Sequence, residues 1–580
     1  MPNTKAKRPN IIFLSIDSVR YDHTSLGNYV HPTTPNLDKM QQNALSCPTT
    51  FSLGPFTQSA CIQMLTSSQP FSSGGYDQGA WGRPNTVFKH FHDAGYDTTA
   101  ISTLHWVNRF MGYGDGLDEE CHLFVLNSLV GACMVTIKST LSMFNQNQLD
   151  TQEMLLAVVP IIRKFFVDTS KYCDLKIKNR DDDRARYPDS LLANIRYDYK
   201  RVKKVIATHQ AEFEINPENY IRNHFNPIPD THEWVAADWK HCREPGKILS
   251  EVLFLTGNYI LGLFNSVRAL NRSQRFKPYV EAKEVADKVI DKMSCNNDEK
   301  PFFIWAHFMD AHLPYMSGQG RKWYKQTPDT LEHLGHSRDI NPSGSNESMP
   351  KTAQEWEAYE ALYDAAIYTV DSQIGRIRKA VEDAGKADET IIVVCSDHGE
   401  EFGEHGNFAH QFTFYEHNVR IPLMFHQPGL GKQTEENLMT LMDIGPTLAK
   451  MAGIPPDNNW RGVAAGSLEI SNREYVVLET FYGGNCLFEY RPFYFGIRTH
   501  SHKYIWKEEV DEKDNLSPEG PELYNLAKDP EEQVNIYAED HPLVPAFNKI
   551  IAERMRDIPE IPRNRITEAF GPDVLADDIQ

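Results

Sequence analysis

The chain has 580 residues, 41% of them hydrophobic and 24% charged, the balance of a folded globular protein with more than one ordinary core. Its 79 acidic residues against 59 basic ones leave a net charge of −20, which argues against a nucleic-acid partner because phosphate backbones recruit basic surfaces. An anionic ligand would need a local positive site, and a bound metal supplies one.

Residues 1–8 run into the first apolar stretch with no hydrophobic leader, so the expectation is a cytoplasmic protein. Nine scattered cysteines without paired spacing fit a reducing compartment. Residues 10–16 predict a buried strand ending at Asp17, followed by a loop that carries Arg20 and His23. Residues 84–95 read as an amphipathic helix closed by Gly95, and 97–104 as the next strand. From 117 to 297 charge and helical periodicity predominate, with two apolar stretches at 123–144 and 249–265. Asn127 and Lys138 interrupt the first, Glu251 and Asn258 the second, so neither reads as a membrane span. Buried helices forming a lid or a homo-oligomer contact are the expectation, with a lipid-facing surface as the alternative.

At 300–315 a short strand again ends in polar residues. His307 is expected to pack within it, while Asp310 and His312, two apart, would point the same way if the segment stays extended. Residues 352–385 predict a long helix covering a sheet face. The run 391–396 then ends in Asp397, His398 and Gly399, the way a buried parallel strand delivers metal ligands to the carboxyl edge of its sheet. Short strands are expected at 474–479, 493–499 and 503–507.

Two signatures far apart in the chain carry a resemblance. Ser396-Asp397-His398-Gly399-Glu400, then Glu404-His405-Gly406, His410, Phe414-Tyr415-Glu416 and Arg420-Ile421-Pro422-Leu423, resemble the second signature of the sulfatase family within the alkaline phosphatase superfamily. Arg8-Pro9-Asn10 through Asp17, followed by Pro32, Pro35, Asn36, Leu37 and Asp38, resemble that family's opening strand and loop. The resemblance implies an α/β fold, an alkaline-phosphatase-like mixed, mostly parallel sheet between helices, with a helical insertion and a small C-terminal antiparallel sheet. It divides the chain into a catalytic domain at 1–116 and 298–466, an insertion at 117–297 and a C-terminal subdomain at 467–580.

It also implies a site. Aligning Leu65-Thr66-Ser67 with the family's helix ending puts Thr57 at the nucleophile, where sulfatases carry the Cys or Ser that becomes formylglycine. Ser59 stands where proline belongs and Cys61 where arginine belongs, so no formylglycine is expected. The expected metal ligands are Asp17, Thr57, Asp397 and His398; Ser18 removes one of the family's acids and His398 replaces its asparagine, which favours manganese or zinc over calcium. His312 and His410 are expected to bind the anion or protonate the leaving oxygen, with Arg20 as a further anion contact. Asp310, His312 and His410 form the alternative, a second metal site. His405 is expected to pack within its loop.

The leading expectation is a metal-dependent hydrolase of a small anionic phosphoester, mono- or diester, working through a Thr57 ester. A sulfuric ester hydrolase using Thr57, a phosphoryl-group transferase and a non-catalytic binding protein are the alternatives, in that order.

Overall fold

The computed structural model describes residues 8–178, 197–242, 280–315, 350–481, 492–508 and 520–571, apart from isolated positions within them. Its centre is a sheet of eight strands: β1 (Asn10–Ile16), β2 (Ala44–Ser46), β3 (Asp97–Ser102), β4 (Glu119–His122), β5 (Phe302–Phe308), β6 (Thr390–Ser396), β7 (Leu423–His426) and β8 (Gln433–Thr434). Across the sheet they lie in the order β8-β2-β7-β6-β1-β5-β3-β4. The five strands from β6 to β4 are parallel, and β7 runs against both β6 and β2. The fold is the α/β arrangement expected, mixed and mostly parallel.

Every residue of β1, β5 and β6 is buried, because helices cover both faces, and this is why their sequences read as apolar runs. Alternation along β1 sends Ile12, Leu14 and Ile16 into one core, shared with the helices Pro35–Met40, Ala282–Cys295 and Ala353–Asp383. Ile11 and Phe13 point into the other, shared with the helices Thr57–Thr66, Val87–Asp93 and Ile444–Met451.

The stretch 117–297 begins and ends on this sheet: β4 pairs with β3, and the helix Ala282–Cys295 packs on β5. Between them the helices Leu126–Asn145, Thr151–Lys178, Tyr199–Ile215, Pro217–His224 and Val235–Trp239 enclose a separate core around Ile137, Phe166, Phe213 and Trp239. The apolar stretch at 123–144 is thus spent on a helix of that core. Among the described residues no helix is long and apolar enough to cross a membrane. The stretch at 249–265 falls outside the described residues except at isolated positions.

Strands β9 (Tyr475–Phe481), β10 (Phe493–Thr499), β11 (His502–Lys507) and β12 (Glu522–Asn525) form the small antiparallel sheet. One face holds the helix Val544–Arg556 through Phe495, Tyr504, Phe547 and Ile551; the other packs on Phe414 and Tyr415. Beneath it Glu416 receives both Arg498 (2.8 Å) and Lys503 (2.8 Å), and Lys503 also reaches Glu532 at 2.7 Å.

Candidate active site

β1 and β6 are neighbours in register, Ile16 opposite Ser396, so the residues that follow them, Asp17 and Asp397, leave the sheet side by side. The Asp397 N–H donates to the Ile16 carbonyl at 3.1 Å, and the Asp17 N–H to the Phe308 carbonyl of β5 at 2.9 Å. Ser18 then turns into the left-handed region, φ 58°, which aims its N–H at Asp397 Oδ1 (2.9 Å) while its hydroxyl donates to Asp17 Oδ1 at 2.6 Å. Ser18 therefore orients both carboxylates. Tyr363, from the long helix Ala353–Asp383, locks this turn by donating to the Ser18 carbonyl at 2.6 Å and accepting from the Arg20 N–H at 2.8 Å.

Thr57 is the first residue of its helix, and the cap position is Phe56, which makes no side-chain cap bond. Its hydroxyl is free of the capping duty that threonine commonly performs at helix starts. Oγ1 instead lies 3.2 Å from Asp17 Oδ2 and 3.2 Å from His398 Nε2. The imidazole of His398 has its Nδ1 at 2.8 Å from the Gly399 carbonyl oxygen, an acceptor, so Nδ1 carries the proton and Nε2 presents a lone pair to Thr57. Burial, and next the neighbouring His410, push His398 down to about 3, so the ring is neutral. Gly399 is required by close approach: a Cβ there would meet the His417 carbonyl oxygen at 1.9 Å.

Asp17 and Asp397 are both fully buried, and among the described residues neither has a lysine or arginine partner. Burial and then the charge of Asp17 push the Asp397 carboxyl far above its ordinary range. Burial opposes ionisation of Asp17 too, but the imidazoles of His312, His307 and His398 hold it below its ordinary range. Asp397 Oδ2 and His307 Nε2 are buried without a hydrogen-bond partner, and Asp17, His307 and Asp397 each bring a donor atom within 4.8 Å of the other two. Two adjacent buried carboxylates with unpartnered donors fit a divalent cation, whose charge would offset their repulsion.

His307 belongs to this set, although its sequence position suggests strand packing alone. The ring is fully buried in β5, with Nδ1 on Ser15 Oγ at 2.8 Å and Nε2 at 3.5 Å from Asp17 Oδ2. The signal available was its period: His307 follows Phe303 and Trp305 on the face that carries the Thr57 helix, one residue from the strand end.

Asp310, His312 and His410 do not gather into such a set among the described residues. The segment after β5 is not extended: the His312 N–H bonds back to the Met309 carbonyl at 3.1 Å, closing a turn that separates Asp310 from His312. Asp310 is buried near enough to Glu284 to help raise that carboxyl, after burial and Glu281, to about 7. His312 and His410 do line the site, with ring centroids 5.2 Å apart and His410 4.5 Å from His398. His410 Nδ1 is 3.3 Å from Oε1 of the fully buried Glu400; burial works against protonation of this ring, but the Glu400 carboxylate raises it above its ordinary value. Phe56 and Phe412 stand beside it as an aromatic wall.

Arg20 and His23 are engaged elsewhere. The Arg20 guanidinium binds Asp22 through Nε (2.9 Å) and Nη2 (2.7 Å), and its Nη1 pairs with Glu404. Those two carboxylates occupy the fork that an anion would need. His23 Nδ1 is held by Asp364 at 2.9 Å. His405 stacks on Tyr415 with centroids 3.6 Å apart.

With this geometry in hand, comparisons with known proteins agree on one family. The sulfatase family profile matches residues 9–454, and a profile described as the C-terminal part of N-sulphoglucosamine sulphohydrolase matches 403–559. A protein named arylsulfatase from Clostridium perfringens is 22% identical over 556 residues, covering 91% of this chain and 90% of its own. Arylsulfatase K of Gallus gallus is 30% identical over 211 residues, 34% of this chain and 37% of that protein. Among solved structures, the phosphonate monoester hydrolase of Agrobacterium radiobacter superposes over 95% of each chain with a TM-score of 0.55 at 17% identity, a likeness of fold.

Proposed function

The chain belongs to the sulfatase family of ester hydrolases, and on that premise we propose that it cleaves a phosphoester, mono- or diester, through a covalent ester of Thr57. The carrying observation is the position of Thr57 Oγ1, 3.2 Å from both Asp17 Oδ2 and His398 Nε2 at the start of a helix. Proteins of this family typically bind a divalent metal. Asp17, Asp397, His398 and Thr57, joined by His307, are the residues to hold it, and the imidazole nitrogens favour manganese or zinc over calcium. Such an ion supplies positive charge that acidifies a neighbouring hydroxyl and polarises a non-bridging ester oxygen.

The residues themselves account for the rest. The Thr57 proton has an acceptor in Asp17 Oδ2, while the lone pair of His398 Nε2, also 3.2 Å from Oγ1, would go to the ion. Thr57 Oγ attacks phosphorus, the bond to the leaving oxygen breaks, and that oxygen takes a proton from His410, whose protonated form Glu400 favours, with His312 beside it. The N-terminal amides of the Thr57 helix favour the anion under attack. Water then attacks the Thr57 phosphoester at phosphorus and frees the hydroxyl. Threonine lacks the hemiacetal route that formylglycine offers for expelling sulfate, and attack at phosphorus is the easier alternative. Cys61, the one cysteine in that helix, does not compete as nucleophile: it is fully buried, and burial pushes its thiol far up.

A sulfate ester is the second reading, favoured by the arylsulfatase name of a relative aligned over 91% of this chain. The test is acid quenching during turnover of nitrophenyl phosphate, followed by peptide mass mapping. A phosphoryl group on the peptide containing Thr57 supports the proposal; an unmodified peptide under steady turnover contradicts it.

A further inference from the structure

The helical insertion carries a second convergence of ligating side chains, remote in sequence from the active-site residues. His209 and Glu212 lie three apart on one face of the helix Tyr199–Ile215, and His224 ends the helix Pro217–His224 that folds back beside it. One donor atom from each of the three lies within 4.8 Å of the other two. His224 Nε2 is 3.1 Å from Glu212 Oε1, and His209 Nε2 is 2.8 Å from Asp238 Oδ2 on a third helix, Val235–Trp239. The His209 and His224 rings stand 5.4 Å apart, centroid to centroid.

The surroundings are those of a built ligand rather than of a chance surface pair. His209 is only 8% exposed, and its Nδ1 meets the Tyr220 hydroxyl at 2.8 Å. The Asp238 carboxylate accepts from Nε2–H as the side chains stand; the Tyr220 hydroxyl, which also accepts from Trp234 Nε1 at 3.1 Å, can accept an Nδ1 proton instead and so free the Nε2 lone pair for an ion. With both imidazoles neutral the four side chains carry two negative charges, the complement of one divalent ion. Within the insertion, Arg163 pairs with Glu214, Arg222 with Glu218 and Lys203 with Asp174.

We propose that His209, Glu212, His224 and Asp238 form a zinc-class metal site that ties three helices of the insertion together. Two imidazole nitrogens with two carboxylate oxygens suit a tetrahedral zinc, with bonds of about 2.0–2.2 Å, better than calcium or magnesium. Three donors converge as the side chains stand; Asp238, 2.8 Å from His209 Nε2 but outside that set, closes the shell by turning toward the ion, so the role is structural.

The test counts zinc by equilibrium dialysis on full-length, chelator-stripped protein. Wild type is compared with the double variant Glu212→Gln/His224→Gln and with Asp397→Asn, which is impaired at the active site only. The double variant should bind one zinc per chain fewer than wild type while keeping ester turnover. Asp397→Asn should still take up cobalt with the visible absorption of a tetrahedral nitrogen–oxygen site, lost when Glu212 and His224 are also replaced. Equal zinc counts in wild type and double variant, or no such absorption, would overturn the proposal. Should the double variant fail to fold, Asp238→Asn at an exposed residue reads the same site: zinc affinity falls about tenfold or more if the site exists and is unchanged if it does not.

Discussion

His307 shows how a single ring can be read two ways. In sequence it is one more member of a buried strand; in three dimensions its Nε2 is aimed at the carboxylates of Asp17 and Asp397, with no hydrogen-bond partner of its own. His307→Asn should therefore weaken binding of the divalent ion by about 10–100-fold while leaving the fold intact, which metal titration followed by activity will measure. An unchanged affinity would return His307 to a packing role. Asp17, Asp397 and His398 were legible because each follows an apolar run, and strand ends in a parallel sheet share one edge. Asp310 was not, since its expected alignment with His312 assumed an extended chain where a turn intervenes. Arg20 was legible as a cation near the site, but not its carboxylate partners: Glu404 comes from a loop distant in sequence.

At the scale of elements, the loop after β6 is held by two ion-pair systems that can be tested separately. Burial opposes ionisation of Glu404, yet the charge of Arg20 draws its carboxyl from an ordinary 4.5 down to about 2. A lowered folded-state value means the pair stabilises fully above about pH 4.5 and loses that contribution as pH falls toward 2. Glu404→Gln should accordingly destabilise at neutral pH, and its deficit against wild type should shrink across that acid window, as urea midpoints at stepped pH will show. A deficit independent of pH would contradict the pairing. The second system joins the loop to the small sheet, where the fully buried Lys503 serves both Glu416 and Glu532. Lys503→Met leaves the buried Glu532 without its cation while Glu416 keeps Arg498, so a loss of about 3–5 kcal/mol is expected in denaturant melts. Three of the four strands of that sheet were legible as short runs in the sequence. The clamp was not, because its three charges lie on segments separated by dozens of residues in a chain whose pairing is set by packing.

For the molecule as a whole, apolar runs and two distant signatures made the α/β class and the edge that bears the site legible. Strand order and the reversed β7 came only with the structure, since pairing across the sheet leaves no local trace. The helical stretch between β4 and β5 was legible as helical, yet its own core depends on which helix faces meet. The central claim unites these scales: a metal edge built from β1, β5 and β6 activates Thr57 toward phosphorus. Its most direct test is turnover of matched nitrophenyl phosphate, phosphate diester and sulfate by metal-stripped protein reloaded with manganese, zinc or calcium, with Thr57→Ala alongside. The account predicts phosphoester turnover that requires manganese or zinc and falls at least about a thousandfold in Thr57→Ala. Dominant sulfate turnover with calcium, or activity untouched by the substitution, would contradict it.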